Sequence, residues 1–176
     1  MQQDLATRYP LVLVPGMLGF VRMVLYPYWF GIVPALRKGG AQVFPVQVSP
    51  LHSSEVRGEQ LLAIIDDICQ RTGVDKVNLI GHSQGALSAR YAAAKRPERV
   101  ASVTSVAGPN HGSELADHLE RTAPGHSPQG RVLKAVLHGF AVLLVWLETG
   151  WRRDPLPVDV HASHQSLTSA GVALFN

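Results

Sequence analysis

The sequence predicts an α/β fold, a mostly parallel sheet with helices on its faces. Three observations carry that prediction. Strand-length apolar runs alternate with helix-length segments through the first hundred residues, the pattern of βαβ units. Glycine and proline punctuate those runs at Pro15-Gly16, Gly39-Gly40, Gly73, Gly81 and Pro97, where the backbone must turn. The chain has 176 residues, 46% of them apolar and 16% charged, enough for one domain with a buried core.

The elements follow in order. Tyr9-Pro10 opens a strand over Leu11–Val14, which stops at Pro15-Gly16. A glycine-bearing loop runs to Gly19. Residues 28–37 read as a short helix closed by Gly39-Gly40, a C-terminal stop signal. Residues 41–48 read as a second strand on Val43, Phe44, Val46 and Val48. Pro45 inside it marks an edge or a bulge, because proline has no N–H for a central ladder. A helix begins at Ser53-Ser54, with Glu55 in its first turn, where the dipole favours negative charge. It runs to about Arg71 and ends at Gly73,. Residues 77–80 form the third strand. A helix with a small-residue face (Ala86, Ala89, Ala92, Ala93, Ala94) spans 83–95 and ends before Pro97. Val100–Val106 is the fourth strand. After Gly108 the pattern changes. Residues 109–130 read as loop with one short helix near 113–119. Residues 131–148 read as an apolar helix and 151–165 as irregular, with no further strand before Asn176.

Composition excludes several function classes. The net charge is +3 and the densest basic spot is Arg152-Arg153, so a nucleic-acid footprint is absent. Cys69 is the only cysteine and closes no disulfide within the chain. It lies among Leu61, Leu62, Ile64, Ile65 and Ile68 and reads as a small buried hydrophobe. Residues 1–8 are polar and lack the apolar core of a signal peptide, which by itself points to the cytoplasm. The longest apolar stretch, residues 132–147, is interrupted by Lys134, His138 and Gly139. It falls short of the roughly 20 apolar residues of a membrane span and reads as a packed or interfacial helix.

The chemistry centres on Gly81-His82-Ser83-Gln84-Gly85, set directly after a strand and directly before a helix. In that context a G-x-S-x-G lifts a serine hydroxyl out of the sheet on a sharp turn. The flanking glycines let strand and helix approach closely. The helix N-terminus points at the place where negative charge develops in acyl transfer. Ser83 is therefore the candidate nucleophile, against the alternative of a structural turn. An oxyanion hole would take one N–H from Gln84 and a second from the loop after the first strand. Met17, in Pro15-Gly16-Met17-Leu18-Gly19, is the candidate there, against a plain strand-terminal turn.

These residues resemble the bacterial true lipases of the Pseudomonas and Burkholderia type, triacylglycerol lipases of the α/β-hydrolase superfamily. The resemblance rests on residues 9–20 and on the elbow at 77–85. It extends through Tyr28-Trp29-Phe30-Gly31-Ile32, residues 54–62, residues 104–113, residues 166–171 and Phe175-Asn176. It implies an α/β-hydrolase fold and an acyl-ester substrate, a triacylglycerol or a smaller ester, cleaved through an acyl-serine on Ser83. Leu18, Val136 and Phe140 would touch the acyl chain. The apolar helix would be a lid within a cap at 109–165 that opens at a lipid–water interface. The resemblance alone also brings secretion and a structural calcium ion; no residue pattern here reads as a calcium site, and no cofactor is expected.

Two departures bear on activity. The family loop reads His-Gly where this chain has Pro15-Gly16. The family's triad acid and histidine follow the lid, on later strands, and the expectation is a single incomplete domain over 1–176 that lacks those strands and leaves a sheet edge open. A serine without a base is a poor nucleophile. His111 follows the fourth strand, and His161 and His164 follow Asp154 and Asp159, but no strand holds any of them. The triad acid and base are thus not identified, while His82 reads as a packing or hydrogen-bonding residue and His52 as a loop histidine. Three readings stay open: an ester hydrolase, a weak or inactive chain on the same fold, and an acyltransferase using the same elbow.

Overall fold

The computed structural model describes residues 4–19, 22–23, 26–122, 127–149 and 156–176. Strand β1 (Leu11–Val14) is buried along its whole length, as a central strand of a parallel sheet must be. Val12 and Val14 face one side of the sheet, Leu11 and Leu13 the other. Beyond it, Arg22–Met23 (β2) and Tyr26–Pro27 (β3) form a small antiparallel ladder in a stretch the sequence left as loop.

Helix α1 (Ile32–Lys38) starts later than the sequence pattern suggests. Gly31 holds φ at 74°, which breaks the turn before it and leaves Tyr28 and Trp29 outside the helix. Trp29 instead packs with Leu11, Leu13 and Val43. Strand β4 (Val43–Pro45) is an edge strand and ends on its proline. The Val46 N–H still donates to Leu13 O at 3.1 Å.

Helix α2 (Ser54–Thr72) is bounded as its sequence signals require. Ser53 Oγ accepts from the Val56 N–H, and Gly73 closes the helix in the left-handed region at φ 70°,. Leu61, Ile65 and Ile68 form its buried stripe, and full burial of each such side chain contributes about 1.5–3 kcal/mol. Cys69 is buried beside them, and burial pushes its thiol pKa up.

Strand β5 (Val77–His82) runs two residues past the predicted 77–80. Helix α3 (Gln84–Lys95) follows after one residue, and β6 (Val100–Val106) completes the sheet. The order is β4-β1-β5-β6, all neighbours parallel. α2 and α3 cover one face and α1 the other. β6 is the second edge of the described sheet, and most of its residues are exposed.

The last third is helical: α4 (Glu114–Thr122), α5 (Pro128–Thr149), α6 (Val160–Gln165) and α7 (Ser169–Phe175). α6 corrects the reading of residues 151–165 as irregular, and α7 lies in a stretch to which the sequence assigned no element. Asp159 caps α6 through the Ala162 N–H, and Thr168 caps α7 through the Gly171 N–H; both are ordinary N-cap residues. Ala116, Leu167 and Val172 join Leu87 of α3 in a separate small core. Among the described residues no helix is long and apolar enough to cross a membrane.

Candidate active site

Ser83 is the single residue between β5 and α3. Its φ is 54° and its ψ −128°, a conformation that costs a residue with a Cβ on the order of 1–3 kcal/mol. The surroundings impose it. Ser83 N–H donates to Val106 O at 2.9 Å, and Ser83 O accepts from Ala86 N–H at 3.0 Å. A Cβ at Gly81 would lie 2.5 Å from Ala86 Cα, and one at Gly85 would lie 2.5 Å from Pro15 O. Only glycine fits where strand, helix and loop meet this closely.

Strain is concentrated here. Among the described residues, the non-glycine positions with positive φ are Leu18, Ser83 and Ala107. They follow β1, β5 and β6, at the carboxyl ends of parallel strands, the edge where sites of open α/β sheets form.

The loop after β1 lies against the serine: a Cβ on Gly16 would sit 2.8 Å from Ser83 Cβ. The amides flanking Met17 are committed. Gly16 N–H donates to Tyr28 Oη at 3.1 Å, and Leu18 N–H donates to Pro50 O at 2.7 Å. Tyr28 Oη is also 2.6 Å from His82 Nδ1, so one phenol ties the elbow to the loop. This matches the reading of His82 as a hydrogen-bonding residue. The Gln84 amide opens α3. Its side chain is buried, and Nε2 donates to His52 O at 2.8 Å and to Ser166 Oγ at 3.1 Å.

Sequence reasoning missed three participants: Tyr28, Ser166 and Arg57. Arg57 is fully buried and donates to the carbonyls of Pro15, Gly16, Ser49 and Pro50. A signal for it existed. Arg57, Leu61, Ile65 and Ile68 share one helical stripe, and a charged residue in an apolar stripe needs a reason.

Met17 is 41% exposed and lines a cavity of about 90 Å³ with Leu51, Leu119, Leu133, Leu137 and Val160. The cavity is apolar and lies under α5. Val136 and Phe140 stand on the outer side of α5, 63% and 43% exposed. They continue a stripe of exposed apolar residues from Val132 to Leu143 at helical spacing.

The described candidate bases are not brought to Ser83. His164 lies at the cavity rim, but its Nδ1 is 3.1 Å from Glu120 Oε2 and its Nε2 2.9 Å from Ala116 O. His161 Nδ1 is 3.3 Å from Lys134 Nζ, on the surface. His111 is exposed in the loop after β6. Asp159 is used as the α6 cap, and the Ala162 N–H holds its carboxyl below the usual range. Asp154 lies outside the described residues. Among those described, no histidine is within hydrogen-bond reach of Ser83 Oγ. Nor do three His, Cys, Asp or Glu side chains converge to hold a calcium ion.

The profile of the alpha/beta hydrolase fold matches residues 9–143. The triacylglycerol lipase of Pseudomonas fragi is 46% identical over 177 residues, covering 100% of this chain and 59% of the relative. That of Vibrio cholerae is 44% identical over 170 residues, covering 97% and 54%. The chain thus spans little more than half the length of these relatives. Among solved structures, the mature Bacillus licheniformis lipase BlEst2 superposes with a TM-score of 0.63 at 22% identity, over 95% of this chain and 57% of that one. A metagenomic carboxyl esterase gives 0.63 at 23%, over 97% and 46%. The profile match begins ahead of β1, ends within α5 and takes in both Ser83 and the loop it faces, so the chain belongs to the α/β-hydrolase-fold family.

Proposed function

We propose that this chain carries the nucleophile half of a carboxylic-ester hydrolase, lipase-like, acting through an acyl-serine on Ser83. The observation that carries the reading is the strained backbone of Ser83 at the head of α3, against the Gly16 loop. Ser83 Oγ attacks the ester carbonyl carbon, forming the C–O bond and passing the carbonyl electrons to its oxygen. The Met17 and Gln84 N–H groups receive that oxyanion. Collapse breaks the bond to the alcohol, which leaves with the serine's proton, and water then releases the acid. The similarity to triacylglycerol lipases favours lipid esters as substrates. Leu18 then contacts the acyl chain, as do Val136 and Phe140 once α5 moves. The segment 109–165 serves as the cap, with the exposed stripe of α5 adsorbing to a lipid–water interface.

A second reading has its own observation. No described histidine reaches Ser83 Oγ, and loss of a triad member leaves only about 10³–10⁴-fold enhancement over water. The chain would then hold fold and site but turn over feebly. Hydrolysis of p-nitrophenyl butyrate and octanoate beside a Ser83→Ala control decides between them. Equal rates for the two proteins remove the enzyme reading for this chain. Fluorophosphonate labelling of Ser83 reports its activation separately.

A further inference from the structure

Arg57 lies in the first turn of α2 and is 0% exposed. No carboxylate among the described residues pairs with it. Its Nη1 donates to Ser49 O at 2.6 Å and Pro50 O at 3.4 Å. Its Nη2 donates to Pro15 O at 2.5 Å and Gly16 O at 3.1 Å, and Nε to Ser88 Oγ at 3.4 Å. Burial pushes its pKa down to about 10, so it stays cationic at neutral pH. A buried charge without an ionic partner is costly. An apolar side chain would fill this stripe position without that cost, so packing alone does not account for an arginine here.

The peptide geometry supplies a reason. All peptide bonds described are trans, so each carbonyl points opposite to the N–H of the same peptide unit. Pro15 C=O turns to Arg57, and the Gly16 N–H on that peptide turns the other way, to Tyr28 Oη at 3.1 Å. Gly16 C=O also turns to Arg57, so the Met17 N–H points away from the guanidinium. That far side is where Ser83 lies: the Cβ position of Gly16 is 2.8 Å from Ser83 Cβ and 3.2 Å from Tyr28 Oη. The Gly16 N–H is taken by Tyr28 Oη, which leaves the Met17 N–H as the donor for an anion on that side. Glycine at 16 leaves the backbone free to rotate, and within the loop the Gly16 carbonyl has one turn hydrogen bond, from the Gly19 N–H at 3.1 Å, while the Pro15 carbonyl depends on Arg57.

We infer that Arg57 is a positioning residue: by gripping the carbonyls of Pro15 and Gly16 it turns the Met17 N–H toward an ester oxygen at Ser83. The inference deepens the hydrolase reading and rests on it. Lysine cannot replace the fork, because one ammonium does not span carbonyls on two loops. Removing the guanidinium leaves the Pro15 carbonyl unsatisfied and the Gly16 carbonyl with the Gly19 N–H alone, at 3.1 Å; the Pro15–Gly16 peptide then rotates to find water and carries the Met17 N–H away.

The test compares wild type, Arg57→Met, Arg57→Lys and Ser83→Ala by p-nitrophenyl butyrate turnover and by NMR amide exchange. In both Arg57 variants kcat falls about 100-fold, as for loss of one oxyanion donor, with KM within about threefold. The Gly16 and Leu18 amides exchange about tenfold faster while Ile65 in α2 does not. Folded variants with kcat within about threefold of wild type overturn the inference. So does exchange that rises equally at Ile65, which marks a merely structural role. Should Arg57→Met not fold, the same readings on Arg57→Lys decide; failure of both to fold makes Arg57 a folding residue and also overturns it. Should wild type be no faster than Ser83→Ala, the hydrolase reading fails, and the exchange pattern alone judges Arg57.

Discussion

Residues 9–106 bury β1 on both faces and seat Ser83 between a strand, a helix and a loop that leave no room for a Cβ at its flanking glycines. Among the described residues, those beyond 109 are joined to them by a small core and a few polar ties, and α5 keeps most of its described large apolar side chains in contact with solvent. The first region is over-determined and holds a strained residue in place. The second is lightly held and presents an apolar surface. A site built from both kinds of structure is rigid around its nucleophile and adjustable beneath α5.

The largest effect is expected at the elbow. Gly85→Ala drives a methyl against the carbonyls of Val14 and Pro15, backbone atoms that no rotamer change relieves. A loss of at least about 3 kcal/mol is expected in urea unfolding; a loss under about 1 kcal/mol would show that the elbow is not tightly determined.

Paired substitutions sharpen the contrast. Leu61→Ala, in the fully buried stripe of α2, is expected to cost about 2–5 kcal/mol. Phe140→Ser, on exposed α5, is expected to change stability by no more than about 0.5 kcal/mol while weakening adsorption to phospholipid vesicles. Equal costs at the two sites would erase the distinction.

The smallest effect concerns acid. Asp117 accepts from the Ser169 Oγ and N–H, and these bonds, the hydroxyl's first, hold its carboxyl below the ordinary range. A folded-state pKa below the unfolded one means the tie contributes fully above the ordinary carboxylate value, about 3.9, and is lost as pH falls through the folded value. The ties around Gly16 run to the Arg57 guanidinium and the Tyr28 phenol and include no carboxylate. NMR of the amides should therefore show Ser169 moving on acidification while Gly16 stays. Concerted movement of both would count against separate behaviour of the two regions.

The strands at 11–14 and 100–106 and the helix from Ser54 were legible because each carries local signals: apolar runs, Ser53, Gly73. The elbow was legible for the same reason, being five consecutive residues between a strand and a helix. The late start of α1 was not, since it hangs on Gly31 adopting a left-handed φ while Trp29 finds a distant core. The short helices α6 and α7 escaped because six or seven residues carry too little periodicity to read.

The order of elements, the place of Ser83 and the candidate amides at Met17 and Gln84 are written in the sequence. Those features are set by neighbours a few residues away, and local sterics and hydrogen bonding act at that range. Only the tertiary structure decided that Arg57 grips the Gly16 loop, that Tyr28 bridges Gly16 to His82, that His164 is taken by Glu120 and Ala116, and that α5 turns Val136 and Phe140 outward. These partners are far apart in the chain, and their meeting is set by how whole elements pack. Ser83 is thus readable from five letters, while the residues that aim the amides around it became visible only once α2 and the loop after β1 had been brought together.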